Sequence, residues 1–438
     1  MGRGIAYVLY SEFVASAWSW VAVAVSMAMG GLSAALALLL LDAGGDEAGA
    51  LGGSILGMAV LVIVAVSFSQ LRLIITERAY TFARWKLSGM PGWLVFVLLG
   101  VLIMAVCLLG AFLGAQQAHW FVEPALEQLR ADGIPLGNPS EDFPAKAIAT
   151  WVCAGAGIVG GWLPLWRVAR RDPARVPPFP ETEAGPWAKA WRVGRTVIAY
   201  GLLAALIYPA VARKITEPDE VMSWGMGLIM AFVVLGGWLV PSLVQLTCAG
   251  RLAGPLAQVA AANLRARVRF AAPQIVPWVL VGTLFFGVGS ALRIGGAEQG
   301  ASYSSPGVFV VVLAPVLGPA LVAACVIPLL LRRRVSRDAR GLFLSGAGRG
   351  EHSILQVWEA AYLTAATALA VLVLGIIVVA PLQASLGHGF FPSSWWGQLW
   401  WTPFIIVIGA MFLVTAAIRI AVSRASNPGC AAGSVPCR

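Results

Sequence analysis

The sequence predicts an all-α polytopic membrane protein with about ten transmembrane helices and both termini in the cytoplasm. Three observations predict it. Of 438 residues, 59% are hydrophobic and 11% are charged, whereas a soluble domain carries about 25% charged residues. So little polar surface cannot cover a globule in water. Ten apolar stretches approach or exceed the roughly 20 residues that cross a bilayer core. The basic residues fall overwhelmingly on one side of those stretches, which is the positive-inside pattern.

The ten stretches are 14–41, 52–75, 92–115, 148–166, 196–212, 221–247, 271–292, 306–331, 357–381 and 401–422. The first is about 28 residues long. A signal-peptide core spans roughly 7–15 residues, so this stretch reads as a helix that is kept. The fifth is the shortest. Pro241 and Pro315 lie inside spans, which membrane helices tolerate. With the N-terminus inside, 25 of the 30 Lys and Arg are cytoplasmic. Arg130, Lys146, Arg213, Lys214 and Arg293 are external, together with 12 of the 20 acids. The net charge of +10 thus splits into +17 inside and −7 outside. It is a topology label and gives no support to nucleic-acid binding.

The connections follow in order. Segment 116–147 is external and proline-rich, with room for a helix over Val122–Arg130. Segment 172–195 contains Pro173, Pro177, Pro178, Pro180 and Pro186 and reads as a cytoplasmic linker. Leu252–Phe270 is basic and amphipathic, suited to lie along the inner surface as an elbow before span seven. Segment 382–400 carries Phe390, Phe391, Trp395, Trp396 and Trp400, followed by Trp401. It reads either as an interfacial aromatic belt or as a substrate-facing cluster. Cys107, Cys153, Cys248 and Cys325 sit in or at the ends of spans, and Cys430 and Cys437 in the tail. A cytoplasmic tail argues against a structural disulfide, and the spacing matches no zinc site.

The chain lacks the chemistry of an ATPase. A phosphate-binding loop needs Gly-Lys followed by Ser or Thr. The four lysines, Lys86, Lys146, Lys189 and Lys214, precede Leu, Ala, Ala and Ile. No Gly-x-Ser-x-Gly elbow is present, and His119, His352 and His388 are scattered over loops. The chain therefore reads as a non-enzyme that binds no cofactor or metal. Ionisable residues are almost absent from span interiors, where ion-coupled carriers place them. Glu359 near the start of span nine and Arg419 near the end of span ten are the exceptions. Both are placed to snorkel.

Two basic stretches end alike. Thr76–Met90 contains Leu87-Ser88-Gly89, and Arg332–Ala347 contains Leu344-Ser345-Gly346. Each follows one span and precedes two more. This gives two three-span units, 52–171 and 306–424, about 257 residues apart. Such internal pseudosymmetry is common in transporters.

Other short patterns follow these stretches. Glu359-Ala360 comes about 13 residues after Gly346-Ala347. In the first unit the corresponding position is Leu102. Arg167, Arg170 and Arg171 precede Asp172-Pro173-Ala174-Arg175, and Ala261-Ala262-Asn263-Leu264-Arg265 precedes span seven. In these motifs and their order the chain resembles the FtsX-like permease family, the membrane subunits of MacB- and BceB-type ABC transporters. It is most similar to the actinobacterial ten-helix type, with helices grouped 1+3, 2 and 1+3. The large external domains of those transporters are missing, since only Asp42–Leu51 and Arg293–Ser304 occupy their places.

The resemblance implies a domain plan. It comprises a first half 1–171, the linker 172–195, two central helices with the elbow over 196–270, a second half 271–424 and a tail 425–438. It also implies that the cytoplasmic helices near 77–89 and 337–346 dock into grooves of a separate ATPase. The coupling residues would be Glu77, Arg78, Arg84, Trp85, Lys86, Leu87, Ser88 and Gly89 in the first. In the second they would be Arg337, Arg340, Leu342, Phe343, Ser345 and Gly346, with Glu359 nearby. Tyr80, Ala83, Trp85 and Leu87 are expected anchors, with Arg84 and Lys86 as the charges that fix register. Gly89 and Gly346 suit helix ends that turn back toward the membrane. The alternatives are basic loops that touch only lipid headgroups, and a Glu359 that serves only the helix dipole.

The expected function is that of a permease subunit in the bacterial plasma membrane. By family resemblance ATP and magnesium would reside on a dimeric partner ATPase, and the substrate would be lipophilic or amphipathic, such as a peptide antibiotic or a lipid. Two other functions are compatible: a sensory scaffold that signals to a histidine kinase, and an ion-coupled carrier.

Overall fold

The computed structural model describes residues 16–43, 46–131, 137, 139, 144–170, 186–212, 218–249, 254–291, 293–294, 306–331, 348–385 and 395–425. Among the described residues the regular structure is entirely helical, and ten helices are long and apolar enough to cross a membrane. They coincide with the ten spans read from the sequence. The chain divides into two compact units, one of 1–194 with 292–323 and one of 195–291 with 324–438.

The first unit is built on four spanning helices: α1 (Ala17–Ala43), α2 (Asp46–Glu77), α4 (Gly92–Gln116) and α6 (Ala145–Arg170). Two short helices join them, α3 (Ala79–Leu87) and α5 (His119–Ala131). The second of these extends the helix expected over 122–130. In a bilayer the lipid tails are as apolar as leucine, so helices associate through close packing and interhelical hydrogen bonds. The unit uses both. Gly31 of α1 lies on the Ala111 backbone of α4, and Gly114 of α4 lies on the Ala28 backbone of α1. Gly157 of α6 seats Cys107 and Met27, and Gly160 faces the Val64 carbonyl. The buried Gln70 of α2 donates to the Ser26 hydroxyl of α1 at 2.7 Å, and Ser26 donates on to the Ala22 carbonyl at 3.1 Å.

The second unit centres on α10 (Ala271–Thr283), which runs on through a π-helical segment, Leu284–Val288. Of its membrane-spanning length 94% is buried. Around it pack α8 (Pro218–Ala249), the elbow helix α9 (Pro255–Ala266), α12 (Arg349–Ser385) and α14 (Trp401–Ala425). Gly375 of α12 meets Phe286 and Gly287 in the π segment, and Gly282 meets Val371. The aromatic segment reaches the same place. Trp401 and Phe404 lie 5.4 and 5.3 Å from Phe286, and the Trp400 amide donates to Ser290 Oγ at 2.9 Å. The exposed Trp396, in the short α13 (Trp395–Gln398), stacks on Trp401 at 5.8 Å. Trp401 therefore fixes the helix end, while Trp396 is exposed; Phe390 and Phe391 lie outside the described residues.

Two helices are divided between the units: α7 (Pro186–Val211) at residue 194 and α11 (Pro306–Leu330) at residue 323. Only 17% of the apolar window of α7 is buried. It is held to α8 by polar contacts, including Tyr200 with Ser242 at 2.7 Å and Trp224 Nε1 with the Leu206 carbonyl at 2.6 Å. Cys107, Cys153, Cys248 and Cys325 are free thiols.

Candidate functional site

A short helix, α3, occupies the place of the first expected docking segment. It ends as the sequence predicts. Gly89 adopts φ +93°, a backbone region that residues with a Cβ enter only at a cost. The Met90 amide donates to the Trp85 carbonyl and the Gly89 amide to the Lys86 carbonyl, both at 3.0 Å. This pair of bonds is a Schellman cap, and it reverses the chain into α4. Gly89→Ala should therefore loosen this turn by about 1–2 kcal/mol. Hydrogen exchange of the 84–90 amides would show it as faster exchange confined to that stretch.

The faces of α3 are divided more sharply than its sequence suggests. Tyr80, Arg84, Leu87 and Ser88 are exposed, and their spacing places them on one stripe. Phe82 and Ala83 are buried. Ala83, an expected anchor, thus faces the unit and not a partner. Phe82, which the sequence reading did not single out, is the inward anchor, and the half-buried Trp85 packs on it at 5.3 Å. Glu77 and Arg78 are half-buried where α2 gives way to α3.

Lys86 turns away from the exposed stripe. Its ammonium donates to the Val168 and Ala169 carbonyls at 2.8 and 2.7 Å. Those carbonyls lie in the last turn of α6, where backbone acceptors have no helical partner and the dipole favours a cation. Lys86 therefore staples α3 to the end of α6. Removing the ammonium by Lys86→Met should lower thermal stability by about 1–2 kcal/mol, as expected for charge-assisted bonds in part exposure. A melting curve of the purified protein would measure it.

The second expected docking helix, with Arg337, Arg340, Leu342, Phe343, Ser345 and Gly346, lies outside the described residues. Glu359 is described, and its surroundings correct the sequence reading. Helix α12 begins at Arg349, so Glu359 lies in its third turn and cannot serve the first-turn dipole. Neither Glu359 nor Arg419 snorkels. Each is 8% exposed, and they form a direct ion pair between α12 and α14. The guanidinium also faces Gln356 Oε1 at 3.4 Å and Gln274 Oε1 at 3.5 Å. Asn263 Nδ2 faces Glu359 Oε1 at 3.5 Å. Four elements of the second unit, α9, α10, α12 and α14, thus converge on one buried polar cluster. It unites the Asn-Leu-Arg and Glu-Ala motifs, which are 96 residues apart in sequence.

The cluster holds no nucleophile and no acid other than Glu359. Among the described residues no group of three or more His, Cys, Asp or Glu is placed to hold a metal. Its groups are mutually satisfied, so it can position helices but is not built to react.

Residues 53–173 match the family model described as FtsX-like permease C-terminal. Over these residues the chain is similar to the FtsX-like permeases. The match covers α2 after its first turns, the short helix α3, and α4 to α6, and it ends at the Asp172-Pro173 expected to close the first repeat. No curated protein matches the chain. FtsX-like permeases are membrane components of ABC-type transporters and not catalysts. The FtsX-like segment and the ten apolar helices support a multi-pass membrane protein of the bacterial plasma membrane.

Proposed function

We propose that the chain is the permease subunit of an ABC transporter and that a separate ATPase docks on the exposed stripe of α3. ATP and magnesium belong to that partner, and the chain itself turns over no nucleotide. The observation that carries this reading is the α3 stripe. Tyr80 and Leu87 stand 60% and 69% exposed on either side of Arg84, on a short helix inside an FtsX-like domain. An apolar pair with a flanking charge is what a helix needs to enter a groove in register. The Lys86 staple ties that helix to α6, so a push on α3 is delivered to a spanning helix. The substrate is lipophilic or amphipathic, in the class of peptide antibiotics and lipids.

The test is co-expression with a candidate P-loop ATPase of the ABC class. Tyr80→Ala with Arg84→Glu and Leu87→Ala should abolish co-purification and stimulated ATP hydrolysis, while the permease keeps its melting temperature. Unchanged stimulation in that variant would assign docking to another surface.

A further inference from the structure

At the end of the first unit opposite α3, where α4 stops and α6 starts, lies a cavity of about 740 Å³. Sites for small ligands occupy about 300–1,000 Å³. Its walls are apolar, formed by Leu39, Leu108, Phe112, Val122 and Trp151. Phe112 and Trp151 are 52% and 68% exposed, so the wall continues onto the outer flank of α4 and α6. That exposed apolar flank gives a tail a lateral approach to the cavity.

The polar lining is asymmetric. The Thr150 hydroxyl is committed to the Lys146 carbonyl at 2.7 Å, and His119 Nδ1 to the Gln116 carbonyl at 2.7 Å. Among the described residues Lys146 is the one charged residue that lines the cavity, and its ammonium has no ion-pair partner among them. It stands in the first turn of α6, where the helix dipole adds to its positive field. Glu141 and Asp142 precede it in sequence and lie outside the described residues.

We infer that this cavity binds a single-chain anionic amphiphile. The tail lies against Phe112 and Trp151, and the carboxylate or phosphate head meets Lys146. The apolar wall selects a tail, the unpartnered ammonium selects an anionic head, and the volume suits one chain with its head better than a diacyl lipid. The inference deepens the permease reading and rests on it for its meaning, because it names the substrate class and its lateral entry.

The test uses the full chain in nanodiscs of zwitterionic lipid. The probe is dodecyl phosphate with a diazirine at the tail end, followed by peptide mapping of the photoadducts. Labelling should concentrate on 108–112 and 147–151. Lys146→Glu should weaken it about tenfold, the effect of losing one charge-assisted hydrogen bond, and Lys146→Arg should retain it. Ala147→Trp, which fills the lining, should block labelling while Lys146 stays in place. Three results would overturn the inference: adducts spread over all lipid-facing helices, equal competition by dodecanol, or displacement by phosphatidylglycerol as effective as by free dodecyl phosphate. The last would mark an ordinary lipid contact. Binding is read without an ATPase. Lost labelling with intact ATPase docking therefore removes this site alone, and lost docking with intact labelling removes the permease reading alone.

Discussion

Glu359→Ala is expected to be among the most damaging single substitutions in the second unit, lowering its stability by about 3–5 kcal/mol. The reason is the partner left behind. Arg419 is 8% exposed, and its charge is balanced by Glu359, with the amide oxygens of Gln356 and Gln274 as the further acceptors among the described residues. Without the carboxylate, the guanidinium must stay buried and uncompensated or drag α14 toward water. Arg419→Ala should cost a similar amount, because among the described residues the carboxylate would then keep the Asn263 amide alone. The double variant Glu359→Leu with Arg419→Met separates burial from pairing. An apolar pair of similar volume often replaces a buried ion pair at little cost or with a gain. The double variant should therefore recover most of the melting temperature lost in either single one. If both single variants melt like the parent, the pair is not buried in the folded protein. If the double variant is as unstable as the singles, the wider amide network matters more than the charge balance. In the complex with an ATPase, the recovered double variant should still couple poorly. The elbow helix α9 meets α12 at this cluster through Asn263, and leucine offers that amide no acceptor.

The ten spans were legible because hydrophobic length is a one-dimensional property, and the bilayer fixes the length required. The α3 turn was legible because φ +93° leaves glycine as the natural occupant of position 89. The side-chain assignments on α3 were less so. A nine-residue helix contains about two and a half turns, and nothing local says which stripe faces the unit. Lys86 looked like a docking charge because its acceptors, Val168 and Ala169, lie more than 80 residues away. Glu359 was misplaced for a related reason. The polar run Arg349–Ser353 hides the first turns of α12, so the apolar signal begins late and makes residue 359 look terminal. A clue was nevertheless present. Glu359 and Arg419 carry opposite charges in spans that are otherwise almost free of ionisable residues. Two such charges in one half of a membrane protein are expected to find each other.

The second large effect concerns a residue with no side chain. Gly114→Leu should separate α4 from α1 and destabilise the first unit by at least about 3 kcal/mol, the upper part of the usual overpacking range. A Cβ at position 114 would fall onto the Ala28 carbonyl, which is backbone and cannot rotate away. Gly31 makes the reciprocal approach to Ala111. Both contacts lie along one crossing, so relief requires the helices to part and lose packing along it. In lipid no hydrophobic force draws them back, because the tails that fill the gap are as apolar as the helices. Even Gly114→Ala should be clearly destabilising. The control is Gly155→Ala on α6, where an added Cβ meets nothing within 4 Å. There, alanine replaces a flexible glycine in a helix and should be neutral or stabilising by up to about 1 kcal/mol. Melting curves of the three variants in one detergent give the comparison. If Gly114→Ala and Gly155→Ala shift the transition alike, the close approach of α1 and α4 does not hold the unit together.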